Sequence, residues 1–340
     1  MNHEFKAEVV DAMKDPKTYD EKVERIKTVQ TYHSYIFLTG KYAYKIKKPV
    51  KYPYFDFTTL QKRKETLEKE VELNKRISEG IYLGVLPIKD FDGRIKIGGE
   101  GKIVEYVLKM REIPQETIMT RLLEENKVDK KIIGELARII ADFHSKAKTD
   151  EKIEKFGSLE TIQFNWRENF EQTEVFKNRT ITEEQFNFIK EKISFFIKEN
   201  KGLFEKRIHD KKIRDCHGDL YSDSIFISDR IYIFDAVEFN DRFRFSDVAS
   251  DIAFLAMDLD VKGKPELSEH LTQKYIEFTK DFELKRLLSF YKCYRAYIRG
   301  KVNSFKLNEA TPEEEKEKSK GLARKYFELS YKYASELAEP

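Results

Sequence analysis

The chain has 340 residues, 40% apolar and 37% charged, with 26 Phe and 18 Tyr. That is enough for a sizeable core in one large or two medium domains, and too apolar for wholesale disorder. Lys plus Arg number 64 against 61 for Asp plus Glu, a net charge of +3, so no broad basic field invites nucleic acid or an anionic membrane. No run approaches the ~18 apolar residues of a membrane span, and Met1-Asn2-His3-Glu4-Phe5 lacks an apolar signal core. Cys216 and Cys293 have neither metal spacing nor a disulfide framework. A soluble, cytoplasmic protein with two interior thiols is expected.

Apolar spacing at Phe5, Val9, Val10 and Met13 predicts a first helix over 5–14, ended by Asp15-Pro16. From 26 to 48 the pattern becomes β: Ile26 to Tyr32, Tyr35 to Leu38, a turn at Thr39-Gly40-Lys41, then Tyr42 to Lys47. Residues 49–57 read as irregular. Thr58 and Gln61 read as a capping box that opens a helix running to Gly80. Strands follow at 83–88, 94–98 and 102–109, with a turn at Asp92-Gly93. Near Met110–Pro114 strands give way to helices, dividing the chain into a first lobe at 1–112 and a second at 113–340.

In the second part, helices are expected at 130–147, from Thr182 with Gln185 as its box partner, and at 245–259, 265–280 and 284–305. A last helix opens at Thr311-Pro312-Glu313-Glu314, with a box and an N1 proline. Between them, Cys216–Ser224 forms a polar loop, and Ile225–Phe234 folds as a hairpin turning at Ser228-Asp229-Arg230. The fold class is α+β: a β-rich N-lobe with one key helix, then a mainly helical C-lobe.

Asp219 and Asp235 bracket that hairpin, which brings both carboxylates to one end of a small sheet. Phosphoryl transfer uses such a pair, one carboxylate orienting the attacking hydroxyl and the other holding a metal on the nucleotide phosphates. Aspartates also favour turns for local reasons, so spacing alone leaves both readings open. Kinase-like chemistry further requires a lysine on the third strand and a glutamate on the lone helix. Ala43-Tyr44-Lys45 has the small residue two positions before the lysine; Lys47 shares that face and is the fallback. On the helix, Glu70 lies with Leu67, Asn74 and Ile77 on the apolar side, while Glu68 and Glu72 turn to solvent. A buried carboxylate calls for a cation, and Lys45 is the candidate. There is no G-x-G-x-x-G; the first turn is Thr31-Tyr32-His33-Ser34, so backbone amides or the Ser34 hydroxyl would cover phosphates.

Together with Phe37–Gly40, Tyr44–Val50, Leu73-Asn74, Lys109–Arg111, His217–Leu220, Phe234–Asn240 and Asp247–Asp251, these residues resemble the aminoglycoside/choline-kinase-like phosphotransferases, relatives of protein kinases. The resemblance implies a bilobal protein-kinase-like fold, ATP or another nucleoside triphosphate, and Mg²⁺. It makes Asp219 the base or hydroxyl-orienting residue and Asp235 the metal ligand. Lys45 binds phosphate, Glu70 holds Lys45, and the connection near Leu108–Arg111, with Lys109 and Met110, meets adenine. Where the family has its second metal-binding Asn, this chain has Ser224, a shorter and poorer Mg²⁺ ligand. That departure motivates the alternative of a pseudokinase-like nucleotide- or partner-binding protein with weak or no turnover. Tyr221 stands where His is common. Asp247 and Asp251 either brace the loop, as the resemblance implies, or complement a helix dipole; His144 reads as structural.

Lys292, Arg295 and Arg299 recur at helical spacing beside tyrosines. They suit an anionic or hydroxylated acceptor better than a polycationic aminoglycoside, unless Arg295 and Arg299 pair with acids such as Asp251, Asp258 or Asp260. The expectation is an ATP- and Mg²⁺-dependent phosphotransferase acting on a hydroxyl of a sugar-like or anionic small molecule, with no nucleic-acid or membrane partner.

Overall fold

The computed structural model describes residues 7–309 and 312–337; Phe5 of the expected first helix and Thr311 of the expected last capping box lie outside the described residues. Helix α1 (Ala7–Ala12) is followed by strands β1 (Lys27–Gln30), β2 (Ser34–Leu38) and β3 (Tyr42–Lys47). The segment read as irregular contains a short hairpin, β4 (Lys51–Tyr52) with β5 (Phe55–Asp56). Helix α2 (Leu60–Asn74) and strands β6 (Tyr82–Phe91), β7 (Arg94–Ile97) and β8 (Lys102–Arg111) complete this part. Six strands form one antiparallel sheet in the order β1-β2-β3-β8-β6-β7.

Period-two alternation decides what each face of the sheet carries. Phe37, Tyr44, Ile46 and Val107 pack with Val9 and Met13. Leu38, Ala43, Leu108 and Met110 pack with Leu67 of α2. Lys45 and Lys47, in step with Ala43, therefore point to the α2 side.

Helix α2 is capped one residue later than expected. Thr59 accepts from Lys62 N; Thr58 turns back to Asp56 and Gln61 bonds Glu65, so no box forms. Buried Arg63 fixes the helix to the sheet, its Nε donating to Glu105 Oε2 at 2.9 Å and one terminal nitrogen to Phe57 O at 2.9 Å.

The helical part comprises α3 (Met119–Glu124), α4 (Lys130–Lys146), α5 (Glu151–Glu154), α6 (Leu159–Thr173), α7 (Glu183–Glu199) and α8 (Lys201–His209) before β9 (Ile213–Asp215). The hairpin β10 (Ile225–Ile227) and β11 (Ile231–Ile233) follows, then α9 (Asp241–Arg244), β12 (Phe245–Asp247), α10 (Val248–Val261), α11 (Pro265–Thr279), α12 (Leu284–Phe305) and α13 (Glu313–Ser335). Thr182 and Gln185 make the expected box on α7. Phe245–Asp247, expected as helix, pairs antiparallel with β9, and Asp247 becomes the N-cap of α10. Pro312 sits at the N-cap of α13, one position earlier than expected.

The chain divides into two compact units: one runs to Ile118 and takes in Ser224–Asp241, the other comprises Met119–Asp223 and the chain from Arg242 onward. The sequence reading put the division at 112/113 and kept the hairpin in the second part. The hairpin folds with the first unit because residues at the end of α2 claim its backbone. Ser78 Oγ donates to Ile233 O at 2.6 Å and accepts from Ile233 N at 2.9 Å, and Asn74 Oδ1 accepts from Ala236 N at 3.0 Å.

Arg63→Met leaves Glu105 buried and unpaired, and is expected to destabilise by about 3–5 kcal/mol in urea unfolding. The double variant Arg63→Met/Glu105→Leu is expected to recover most of that loss.

Candidate active site

In the first unit, five ionisable side chains meet on the α2 side of the sheet. Lys45 Nζ lies 2.8 Å from Glu70 Oε1 and 2.9 Å from Asp235 Oδ1. Lys47 Nζ lies 2.9 Å from Glu70 Oε2 and 2.6 Å from Glu238 Oε1. Lys47 and Glu70 are fully buried, and Glu238 nearly so. Two ammonium groups thus face three carboxylates, and Glu70 is shared between both lysines.

The local backbone explains how the carboxylates arrive. Glu70 follows Leu67 by one helical step on the buried stripe of α2. Asp235 has φ 64, a left-handed conformation that re-aims the chain after β11, with its N–H on Tyr82 Oη at 3.2 Å. Phe234 N donates to Ser224 O at 2.7 Å, so Ser224 is tied to the strand end that precedes Asp235.

Burial works against charge here, and opposite charge decides the outcome for Lys45 and Asp235. For Asp235, whose side chain stays more than half exposed, partial desolvation is outweighed by Lys45 and Lys47, which hold its carboxyl well below the usual range. Burial disfavours the Lys45 cation, yet Asp235 and Glu70 keep it raised. Glu238 goes the other way: burial raises its pKa more than Lys47 lowers it. His33 is pushed down to about 3 by burial and then by Lys47 and Lys45, so it is neutral at ordinary pH.

In the second unit, the loop Cys216–Asp223 is pinned from α10. Asp251 accepts from His217 N at 2.7 Å and Gly218 N at 3.0 Å. Two helical turns on, Asp258 accepts from Ser222 N at 3.0 Å. Gly218 takes φ 87, which favours glycine, and its carbonyl accepts from Arg295 at 2.9 Å. Between these anchors, Asp219 is half-buried and its N–H donates to His217 Nδ1 at 3.3 Å.

A buried layer stabilises the pins in turn. His144 shares hydrogen bonds with Tyr275 Oη at 2.7 Å and Asp251 Oδ2 at 3.2 Å. Burial raises the Asp251 pKa, but His144, His217 and Arg295 outweigh it and hold the carboxyl well below its usual range. Asp247 pairs with Arg207, which also grips Asp281. Donor atoms of His144, Cys216 and Asp251 lie within 4.8 Å of one another. All three are committed to protein partners, and burial raises the Cys216 thiol far above its usual pKa, so this cluster is structural. The bracing reading of Asp251 therefore fits the contacts, while Asp247 serves as both brace and cap.

No family model matches the chain. Uncharacterised proteins of Mycobacterium bovis and Mycobacterium tuberculosis are 28% identical to it over 285 residues, 84% of this chain and 56% of theirs. The chain thus spans about half the length of these curated relatives. Among solved structures, the ADP-bound aminoglycoside phosphotransferase APH(2'')-Ib is similar at TM-score 0.50 and 15% identity, over 95% of this chain and 98% of that one. A choline/ethanolamine kinase family protein from Mesorhizobium loti gives 0.50 and 12% over 92% of each chain. An ethanolamine kinase of Plasmodium vivax gives 0.51 and 14%, over 90% of this chain and 81% of that one. The chain has the fold of the kinase-like phosphotransferases.

Within this phosphotransferase fold, Lys45, Glu70 and Asp235 come together as one cluster. Lys47, held as the fallback for Lys45, is a full member of it, and Glu238 is a member that sequence reasoning missed. Its position three residues after Asp235, in the Phe234–Asn240 run, was the available signal. Asp258 was missed as a loop anchor; its spacing of two turns from Asp251 on α10 could have revealed it. Met110 lies on the Lys45 face, paired across strands with Ala43. Lys109 lies on the opposite face, its Nζ 3.1 Å from Glu21 and over the Tyr42 ring at 4.0 Å, so the structure does not bring its ammonium to Lys45. Ser34 is paired in register with Lys47; its hydroxyl is fully buried and has no hydrogen-bond partner, rather than being presented to solvent.

Asp251→Asn would turn an amide N–H₂ toward backbone donors, and a loss of about 3–5 kcal/mol is expected. Because the folded pKa is depressed, the Asp251 contribution is present above the unfolded value near 3.9 and is lost as pH falls through the folded one. In urea unfolding, the gap between wild type and Asp251→Asn should hold from pH 5 to 8 and shrink below about pH 4.

Proposed function

We propose that the chain is an ATP- and Mg²⁺-dependent phosphotransferase that acts on a hydroxyl of a small molecule, sugar-like or anionic, in the cytoplasm. The observation that carries this reading is the bridging of Lys45 between Glu70 and Asp235. Such a lysine is fixed and charged without being consumed, because Glu70 orients it while Asp235 is a partner it can exchange for phosphate oxygens.

The residues also fit a hard divalent cation. Asp235 engages Lys45 through Oδ1, and its side chain is 56% exposed, which leaves carboxylate oxygen accessible to a cation that keeps several waters and shares phosphates. Ser224, tied by its carbonyl to the strand end before Asp235, is the second candidate ligand. When bound, the metal would supply charge neutralisation at the phosphates. Lys45 would hold phosphate oxygens, and Met110 at the end of β8 would line the base, with only the backbone of Lys109 contributing. Asp219, on a loop fixed at both ends, would accept the proton of the acceptor hydroxyl as its oxygen bonds phosphorus and the bond to the departing nucleoside diphosphate breaks.

A second reading, a nucleotide- or partner-binding pseudokinase with weak turnover, rests on Ser224 in place of the amide ligand.

Mg²⁺ with AMP-PNP, a non-hydrolysable ATP analogue, is expected to raise the melting temperature by mass action, and Asp235→Ala to abolish the shift. With Mg·ATP and an acceptor, Asp219→Asn should keep the nucleotide shift while turnover falls by about 10²–10⁴. Absence of any Mg²⁺-dependent shift in the wild type would overturn the proposal. Under the second reading, Ser224→Asn creates or greatly raises turnover; under the first, wild type already turns over and the substitution changes it modestly.

A further inference from the structure

Of the cations on helix α12, Lys292, Arg295 and Arg299 recur at helical spacing, and the first two are structurally committed. Lys292 donates to Asp260 at 2.8 Å and Ser268 at 3.0 Å. Arg295 donates to Ser250 Oγ at 3.0 Å and Gly218 O at 2.9 Å, and lies 3.9 Å from Asp251. Arg299 differs. Among the described residues it makes no ion pair, and its Nε is buried without a hydrogen-bond partner. Its guanidinium lies 4.9 Å from the Tyr221 ring and 5.7 Å from that of Tyr326.

That placement joins Arg299 to the Asp219 loop. Tyr221 stacks on Phe254 of α10 at 5.4 Å and 11°, and Phe254 carries the Arg295 guanidinium on its ring at 4.9 Å. The order Arg295, Phe254, Tyr221, Arg299, Tyr326 is one continuous stack of two cations and three rings, fixed at one end by the pin on Gly218. At the other end, Gly300 brings α12 against α13; a Cβ there would come within 2.8 Å of the Phe327 ring. Arg299 is thus held rigidly. Burial opposes its charge, while Tyr326, Tyr221 and Asp219 favour it, and the Tyr221 ring it lies over is two residues from Asp219 on the same loop.

A stacked, partly exposed guanidinium with an unpartnered Nε is a receptor for a planar or tetrahedral anion, since its fork matches carboxylate and phosphate oxygens. An anion beside Asp219 needs a counter-charge, and Arg299 is a cation already in place; a polycationic acceptor would be repelled. We infer that Arg299, seated between Tyr221 and Tyr326, determines specificity by holding a carboxylate or phosphate group of the acceptor whose hydroxyl Asp219 orients. This rests on the phosphotransferase reading and narrows its substrate class. A purely structural role, in which the stack only clamps the loop, makes a different prediction: no acceptor would distinguish wild type from variant.

The test is thermal shift in saturating Mg²⁺ and AMP-PNP, with matched acceptors. The panel is gluconate, glucuronate, glucose 6-phosphate and ribose 5-phosphate, the neutral parents glucose and ribose, and the cationic kanamycin. At least one acid or phosphate should shift the wild type where its neutral parent does not, and the carboxylate and phosphate arms separate the two anion classes. Arg299→Gln should weaken that binding about 10- to 100-fold while keeping the nucleotide-induced shift. Arg299→Lys keeps the charge but loses the fork, is expected to lose most of the anion-dependent shift, and carries the test if the Gln variant does not fold. The inference is overturned if no anionic member shifts the wild type, if neutral or cationic members shift it equally, or if both variants respond as wild type does. Failure of the kinase reading is separate, because there the nucleotide itself produces no shift.

Discussion

The first unit depends on one constraint: two lysines on the same face of β3 must be neutralised inside a protein. An uncompensated buried ammonium is prohibitive, so the face opposite β3 has to supply carboxylates. It does so from two sources distant in sequence, Glu70 on α2 and the Asp235–Glu238 segment after β11. Much else serves that meeting. Arg63 fixes α2 to β8, Ser78 and Asn74 fix the end of the hairpin, and the left-handed backbone at Asp235 turns its carboxylate toward Lys45. The cluster has an asymmetry that suits exchange. Lys47, Glu70 and Glu238 are sealed, whereas Asp235 keeps more than half of its side chain exposed, so one member can trade partners while the others hold the frame.

The second unit solves a different problem, that of keeping a polar loop rigid. Two carboxylates on one helix, Asp251 and Asp258, take up three backbone N–H groups of the loop. These are charge-assisted bonds in a low-dielectric setting, stronger than neutral ones. The loop between them presents Asp219 and Tyr221 as rigidly as a secondary-structure element would. On the proposed function, rigid presentation matters because positioning contributes much of the rate in phosphoryl transfer.

Much of this was legible in the sequence, for identifiable reasons. The sheet and α2 followed from period-two and helical spacing, and Glu70 from its place on the stripe with Leu67 and Asn74. The hairpin boundaries followed from Ile-rich runs around Ser228-Asp229-Arg230. What was not legible depended on cross-strand register and on distant pairing. Lys109 and Lys45 both sit on strands within apolar runs, but only the β3–β8 register, with Tyr44 opposite Lys109, puts them on opposite faces. Glu238 looked like one more acid until Lys47 was seen to require it. Phe245–Asp247 joined onto a helical pattern in the sequence, and only the presence of β9 as a partner makes it a strand. The hairpin's membership of the first unit likewise rests on Ser78 and Asn74, which no local pattern connects to residues 233–236.

On the proposed function, Lys45, held by Glu70, is a phosphate-binding lysine. Isothermal titration of AMP-PNP with and without Mg²⁺ against wild type and Lys45→Met tests it most directly. Saturable, Mg²⁺-dependent binding to the wild type is expected, weakening at least about tenfold in the variant, the loss of one charge-assisted contact. Equal affinity in the two proteins, with the variant shown by its circular dichroism to be folded, would contradict it.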